Sequence, residues 1–561
     1  MKIVERPYSE TDRRRLMEAG VHPVLARIYA ARRIRSALEL KYETAGLIAP
    51  KFLKSIEAAA RLLADAIQAG KRMLIVADYD ADGATACAVG LRALRMFGAQ
   101  VDYLVPDRFK LGYGLSPELV ELAAQRKPDL LITVDNGIAS VEGVALASRL
   151  GIATLITDHH LPGAELPAAA CIVNPNQPGC EFPSKALAGV GVMFYVMLAL
   201  RTELRKRNSF KESPEPNLGA LTDLVALGTI ADVVPLDANN RNLVSQGLKR
   251  LRAGRGQPGV MALLRAAGRP LAEASSFDLG FVAGPRLNAA GRLADMSVGI
   301  ECLVAGDEAR AMNLAQQLDK LNRERREIEA SMLEQALELI QNIKQENRCT
   351  FFDPGWHQGV VGILASRLKD RVHRPVICFA PAEEAGRPVL RGSGRSIPGL
   401  HLRDCLDLVA KRAPGLIGRF GGHAMAAGLT IEQTFYPAFT QAFEAAVEEL
   451  LPAEARLRTV ETDGALDGTH CTLEVARMLE AEIWGQGFPQ PVFCDNFAVE
   501  AQRVVGDKHL RLRLAKDGRR YEAMRFGALE PLPGKVRAAY RLAVNEFNGL
   551  RNIQLNVEHF E

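Results

Sequence analysis

Short apolar runs recur along the first half of the chain, and each one ends on an acid. Met73-Leu74-Ile75-Val76-Ala77 leads into Asp78-Tyr79-Asp80-Ala81-Asp82-Gly83, and Leu130–Val134 leads into Asp135-Asn136-Gly137. Ile152–Thr157 leads into Asp158-His159-His160, and Gly228–Ala231 into Asp232. Continuous apolar runs this short read as strands buried on both faces of a parallel sheet. Helical segments, Ala84–Phe97, Pro117–Gln125 and Val141–Leu150, stand between them. The alternation predicts βαβ units in a doubly wound sheet. Ligand sites in such sheets lie at the carboxyl ends of the strands, so the acids should converge in one crevice.

The rest of the chain has other rhythms. Residues 1–50 read as short helices with basic faces, such as Leu25–Arg33. Asn208–Asn217 is polar and reads as a loop, and the helical stretch after it carries Asp223 and Asp232. No glycine or proline occurs between Gly306 and Pro354, while Leu314, Leu318, Leu321, Ile328, Met332, Leu339 and Ile343 recur at helical spacing. That predicts one or two long connecting helices over 306–348. Residues 349–452 are glycine-rich and again α/β in pattern. Beyond them, Val504–Leu514, Tyr521–Phe526, Ala538–Asn545 and Ile553–Val557 read as strands without helices, which suggests a small OB-like β-barrel over 453–561. The predicted fold class is therefore α/β multi-domain, with a parallel-sheet domain over 51–305.

Composition narrows the classes. A chain of 561 residues, 48% hydrophobic and 24% charged, has ordinary globular values. Met1–Pro7 lacks an apolar core, so no signal peptide is expected, and no stretch approaches a membrane span. The nine cysteines are scattered without a CxxC pair and read as reduced thiols in a cytoplasmic protein. A net charge of +4 does not by itself identify a nucleic-acid binder, so basic patches matter more. One is Lys508-His509-Leu510-Arg511-Leu512-Arg513-Leu514, which puts Arg511 and Arg513 on one strand face and leucines on the other. Such a face can follow a single-stranded backbone; a merely solvated face is the alternative.

Taken singly, an Asp after a strand caps a helix or makes a turn. Brought together, so many carboxylates would repel unless cations sat between them. Acids mixed with imidazole suit Mn²⁺, or Mg²⁺ where oxygen dominates, and a pair of such ions serves phosphoryl chemistry. Elsewhere, Trp356-His357-Gln358-Gly359, Arg391-Gly392-Ser393-Gly394-Arg395 and Arg419-Phe420-Gly421-Gly422-His423 combine glycine with cations. Glycine lets backbone amides approach phosphate, and arginine clamps it. Gly392–Gly394 as a tight turn and His423 as a helix cap are the competing readings.

The series resembles the DHH phosphoesterase superfamily, named for the triplet standing here as Asp158-His159-His160. Its members include pyrophosphatases, oligonucleotide-degrading enzymes and the RecJ single-strand exonucleases. The resemblance to the RecJ branch covers nearly the whole chain, including Gly284-Pro285-Arg286-Leu287-Asn288-Ala289-Ala290-Gly291-Arg292 and Trp484–Phe493, where Trp484 departs from the usual Pro-Phe-Gly. It implies a DHH domain, a connecting helix, a DHH-associated domain and an OB-fold. It also implies two Mn²⁺ or Mg²⁺ ions bridged by Asp135. One would be held by Asp80, and the other by Asp82, His159 and Asp232. Many relatives have histidine where Val76 stands, and Asp78 is the substitute; His160 resembles a histidine that contacts substrate or assists proton transfer.

By the same resemblance Arg286, Ser393 and Arg395 grip the terminal phosphate, and Arg108 sits on phosphate. Tyr113 lies near a base, although a buried structural role fits it nearly as well. Asn288, His357, Arg391, Gly422 and His423 line the substrate path. The implied activity is 5′→3′ hydrolysis of single-stranded DNA to mononucleotides in recombination and repair. The implied partners are single-strand DNA-binding protein and a RecQ-type helicase, with no membrane association. Two rivals remain: a DHH phosphoesterase for very short oligonucleotides or pyrophosphate, and a non-catalytic scaffold. The terminal barrel argues against the first and the full set of acids against the second.

Overall fold

The computed structural model describes residues 1–107, 114–342, 348–384 and 386–561. It divides into two compact units, residues 5–322 with 461–560, and residues 1–4 with 323–460 and 561.

In the larger unit, β1 (Arg72–Ala77), β2 (Gln100–Leu104), β3 (Leu130–Val134), β4 (Ala153–Thr157) and β5 (Cys171–Val173) form a parallel sheet in the order β2-β1-β3-β4-β5. Every residue of β3 and all but the first of β1 are buried, which is why these strands show no polar alternation. Their register sets the site. Ala77 lies beside Val134, Val134 beside Thr157, and Thr157 beside Val173. The strands therefore end at one level, and the next residues are Asp78, Asp135 and Asp158. Their amides extend the ladder, donating to the carbonyls of Val134 (3.3 Å), Thr157 (3.0 Å) and Val173 (3.2 Å).

The helices Ala81–Met96, Gly189–Lys206 and Thr222–Ala231 build the crevice beside these strand ends. Small residues let them close up: a Cβ at Gly90 would lie 2.6 Å from Met193. The helical stretch expected to carry Asp223 and Asp232 is the Thr222–Ala231 helix, with Asp232 as its C-cap, so the Gly228–Ala231 run closes a helix and is not one of the sheet strands. The helix is buried on nearly all sides, from Thr222 to Thr229, and a short apolar run cannot separate that case from a buried strand. Near the N-terminus Lys2–Glu5 is a strand, followed by helices Glu10–Glu18 and Pro23–Ala31.

In the smaller unit, β6 (Thr350–Phe352), β7 (Val376–Glu384), β8 (Arg387–Arg395), β9 (Arg419–Gly422) and β10 (Ala426–Glu432) form a mixed sheet ordered β9-β10-β8-β7-β6. Its core packs Phe379, Leu402, Phe439 and Phe443. A single helix, Glu308–Asn342, covers most of the glycine-free stretch; Ile343 lies outside the described residues.

Residues 461–560 of the larger unit hold a closed barrel. Strands β11 (Phe493–Val505), β12 (His509–Lys516), β13 (Arg519–Arg525), β14 (Lys535–Phe547) and β15 (Leu550–Phe560) run in the order β11-β12-β13-β15-β14. The expected Val504–Leu514 strand is in fact two. Gly506 (φ +58°) and Asp507 (φ +53°) turn the chain between β11 and β12. On β12 Leu510, Leu512 and Leu514 are buried while Arg511 and Arg513 are exposed. Arg511 and Arg513 both lean on Glu522 of β13. Among the described residues no helix is long and apolar enough to cross a membrane.

Candidate metal centre

Asp80 leaves β1 and caps the Ala81–Met96 helix, its Oδ1 accepting from the amides of Asp82 (2.9 Å) and Gly83 (3.0 Å). The bland reading of this acid, a helix cap, is thus true of one oxygen. Asp82, early in that helix, is fully buried. Its carboxylate accepts from the amides of Gly189 (2.6 Å) and Val190 (2.9 Å), the first residues of the Gly189–Lys206 helix, where the helix dipole favours negative charge. Asp135 follows β3 with φ +62°, a left-handed conformation that few non-glycine residues adopt. A Cβ at Gly189 would lie 2.6 Å from Asp135 Oδ1, so only glycine lets that helix end approach.

His159 Nε2 stands 3.1 Å from Asp135 Oδ1, 3.5 Å from Asp232 Oδ2 and 4.0 Å from Asp82 Oδ2. Three groups therefore offer ligand atoms within 4.8 Å of one another: Asp82 with His159 and Asp232, Asp78 with Asp80 and Asp135, and Asp135 with His159 and His160. Asp135 belongs to two of them. His160 is turned by Asp158, whose Oδ1 lies 2.8 Å from its Nδ1 and also accepts the amides of His159 and His160.

Charge balance explains what this pocket takes. Burial, then Asp232 nearby, pushes the Asp82 carboxyl up to about 7. Burial and then Asp80 do the same to Asp232, again to about 7. Burial and the carboxylates of Asp82, Asp80, Asp232 and Asp78 hold Asp135 well above its ordinary range. Burial lowers His159, which keeps its ring neutral and able to ligate. The buried atoms His159 Nε2 and Asp232 Oδ2 have no hydrogen-bond partner. Acids that resist ionising, around a neutral imidazole and unsatisfied lone pairs, fit a pair of divalent cations. Burial also pulls His160 down, but its hydrogen bond and charge contact with Asp158 outweigh this and raise it to about 9.

Several supporting residues escaped the sequence reading. Asn174 and Asn176 donate to the backbone carbonyls of His160 (2.9 Å) and His159 (2.6 Å), and Asn136 donates to those of Val76 and Val134. The glycines of Gly189-Val190-Gly191 and the Asn-Pro-Asn of residues 174–176 were the available signals. Asn288 Oδ1 accepts the Ala81 amide at 2.8 Å, and a Cβ at Gly291 would overlap the Tyr79 carbonyl. The Gly284–Leu293 helix thus braces the first acid loop. Arg286 reaches Asp319 at 2.7 Å and the Val282 carbonyl.

In the smaller unit Arg391, Ser393 and Arg395 alternate along one face of β8. Arg395 reaches the Ser393 hydroxyl at 3.2 Å, and Arg391 reaches Gln358 at 3.3 Å. Gly392 and Gly394 lie in the strand and face the core, where a Cβ would meet Phe379 (2.5 Å) or Leu402 (2.8 Å). They are packing glycines rather than a turn. Gly422 has φ +147°, and His423 begins the β9–β10 turn, its amide donating to Ala426. His357 Nδ1 accepts the Gly359 amide. Arg108 and Tyr113 lie outside the described residues.

Models of the DHH family N-terminal domain, the DHHA1 domain and the RecJ OB domain match residues 72–229, 334–450 and 462–559. Parallel-sheet fold, acid cluster and barrel together define a DHH-type phosphoesterase with a nucleic-acid-binding barrel. The single-stranded-DNA-specific exonuclease RecJ of Dickeya dadantii is 50% identical over 574 residues, spanning 100% of this chain and 98% of its own. Its Escherichia coli counterpart is 48% identical, spanning 98% of both chains. The crystal structure of RecJ with Mn²⁺ from Thermus thermophilus superposes with a TM-score of 0.83 at 30% identity, covering 100% of this chain and 79% of that one. The Mg²⁺ complex from the same source gives 0.78 at 29% identity, covering 100% of this chain and 78% of that one. This chain belongs to the RecJ family of single-stranded-DNA-specific exonucleases.

Proposed function

We propose that the protein hydrolyses single-stranded DNA from its 5′ end to mononucleotides with the help of two divalent cations, Mn²⁺ or Mg²⁺. The observation that carries this reading is the set of three ligand groups at and beside the aligned ends of β1, β3 and β4, two of them sharing Asp135 and the third joined to these through His159. Asp82, His159 and Asp232 would hold one cation and Asp78 and Asp80 the other, with Asp135 near enough to serve either. When bound, such a pair polarises the phosphate and lowers the pKa of attacking water. The chain itself supplies fixed ligands, a buried setting and a proton. His160, raised to about 9 by Asp158 against the pull of burial, is protonated at neutral pH and donates to the phosphate or leaving oxygen.

Labour is divided along the chain. Residues 51–305 cut, with 1–50 as a helical preface and 306–348 as connecting helix. Residues 349–452 bind phosphate through Arg391, Ser393 and Arg395, with His357, Gly422 and His423 beside the path. Residues 453–561 hold the strand, Arg511 and Arg513 following its backbone. Arg286 and Arg108 add phosphate contacts, Tyr113 a base contact, and Asn288 acts by positioning the acid loop. The protein works in the cytoplasm in recombination and repair, beside a single-strand DNA-binding protein and a RecQ-type helicase.

End-labelled single- and double-stranded DNA, digested with Mn²⁺ or Mg²⁺, tests this directly. The expected result is early release of the 5′ label from single strands only; early release of the 3′ label overturns the polarity. Activity confined to very short fragments would favour the short-oligonucleotide enzyme.

A further inference from the structure

Away from the metal centre, the larger unit exposes two phenylalanines side by side. Phe277 is 55% exposed and Phe281 72%, and their rings stack with centroids 4.9 Å apart and planes 21° apart. They flank and occupy a π-helical turn, Asp278–Ala283, that runs directly into the Gly284–Leu293 helix. Such turns are rare and gather at functional sites. Leu279 and Ala283 of the turn are buried, so it is anchored while the two rings point into water.

Position ties this pair to the cutting site. The turn packs on the end of the Thr222–Ala231 helix: a Cβ at Gly280 would lie 3.0 Å from Ile230, and one at Gly284 3.1 Å from Ala231. The next residue after Ala231 is the ligand Asp232. Beyond it, Val233 is 62% exposed at φ +64°, a strained conformation for a β-branched residue. At its other end the turn continues into the helix whose Asn288 holds the Ala81 amide. The exposed rings thus share a scaffold with both acid clusters. The acid nearest the rings, Asp278, is buried and taken by Arg269 and Ser275, and the Arg286 charge is met by Asp319 at 2.7 Å.

We propose that Phe277 and Phe281 form a stacking platform for nucleobases of the single strand lying outside the metal centre. This rests on the single-strand nuclease reading above. Phenyl faces stack on any base, so such a platform serves an enzyme that must pass all sequences. A protein ligand is the alternative occupant. The turn's seat against the helix that ends at Asp232 favours a strand being fed to that centre, whose own rings can cover the phenyl faces.

The test compares binding of a deoxythymidine oligomer and an abasic oligomer of equal length by fluorescence anisotropy in EDTA. The proteins are the wild type, Phe281→Ala, the Phe277→Ala/Phe281→Ala double variant, Phe281→Leu and Phe281→Trp. Loss of a ring should weaken the base-bearing oligomer about tenfold and leave the abasic one unchanged. Phe281→Trp should restore binding, and Phe281→Leu, which keeps apolar bulk and fold, should not. Equal weakening of both oligomers, or no change in either, overturns the platform. Failure of the wild type to cut single strands with Mn²⁺ would instead sink the nuclease reading.

Discussion

His159 Nε2 lies 3.1 Å from Asp135 Oδ1, and the two residues come from the ends of neighbouring strands whose last residues are paired, Val134 with Thr157. The strand pairing fixes the backbone separation from which the two side chains reach one another. The carboxylate proposed to serve both cations thus stands at the end of a sheet strand. Asp135→Asn should therefore keep the fold, since asparagine tolerates the left-handed φ, yet lose hydrolysis by a factor on the order of a thousand. Mn²⁺ binding by calorimetry should fall with it. In EDTA the variant should be at least as stable as the wild type, because a buried carboxyl has been replaced by a neutral amide. Chemical denaturation measures that.

The metal-free protein should lose stability as pH rises. Asp82 and Asp232 sit at about 7 through burial and neighbouring acids, against an ordinary value of about 3.9 when unfolded. Between these limits the folded state binds more protons than the unfolded state, so stability falls with pH across that window and the penalty is complete above it. Cations remove the penalty. The melting-temperature gain on adding Mn²⁺ should grow from pH ~5 to ~7.5, and binding should release protons. A Mn²⁺ gain that is flat with pH would contradict this.

His160 is stabilising where those acids are not. Burial lowers it but Asp158 raises it to about 9, above an unfolded value of about 6.5. The stabilisation is fully present below that unfolded value and is lost as pH climbs through the folded one. The stability difference between wild type and His160→Gln in EDTA should be largest at acid pH and shrink across that interval.

Gly189→Ala places a methyl 2.6 Å from Asp135 Oδ1 and displaces the amides that hold Asp82. Overpacking of this kind costs about 1–3 kcal/mol. Activity should drop further than stability, roughly a hundredfold, because ligand geometry shifts. Paired melting and rate measurements separate the two effects.

Arg395→Ala should raise KM for 5′-phosphorylated single strands about tenfold or more while leaving 5′-hydroxyl strands nearly unaffected. Equal losses on both substrates would argue against a terminal-phosphate contact.

Much of this architecture was legible in the residues. Strands buried on both faces wrote themselves as unbroken apolar runs, and the acids after Ala77, Val134 and Thr157 followed from their ends. The Gly228–Ala231 run fitted both an apolar strand end and the close of the helical stretch carrying Asp223, because burial on all sides erases the helical stripe; Asp232 arrives from that helix terminus. The β11–β12 turn was hidden inside Val504–Leu514, where Gly506-Asp507 interrupts two strands of like composition. At the site, carboxylates and imidazoles announce their chemistry by type. The groups that hold them, the amides of Gly189 and Val190 and the side chains of Asn174 and Asn176, act through backbone contacts that leave only generic glycines and asparagines in the sequence. The glycines of Arg391–Arg395 were legible as glycines but not as core-facing ones, since their reason is the Phe379 and Leu402 side chains across the sheet.

Asp232, proposed as a ligand, lies far along the chain from Asp78, at the end of a helix buried on nearly all sides. A nascent chain that has not yet delivered this segment carries an incomplete cradle. The two-cation site proposed for this enzyme is thereby completed only when the segment as far as Asp232 has folded into the domain.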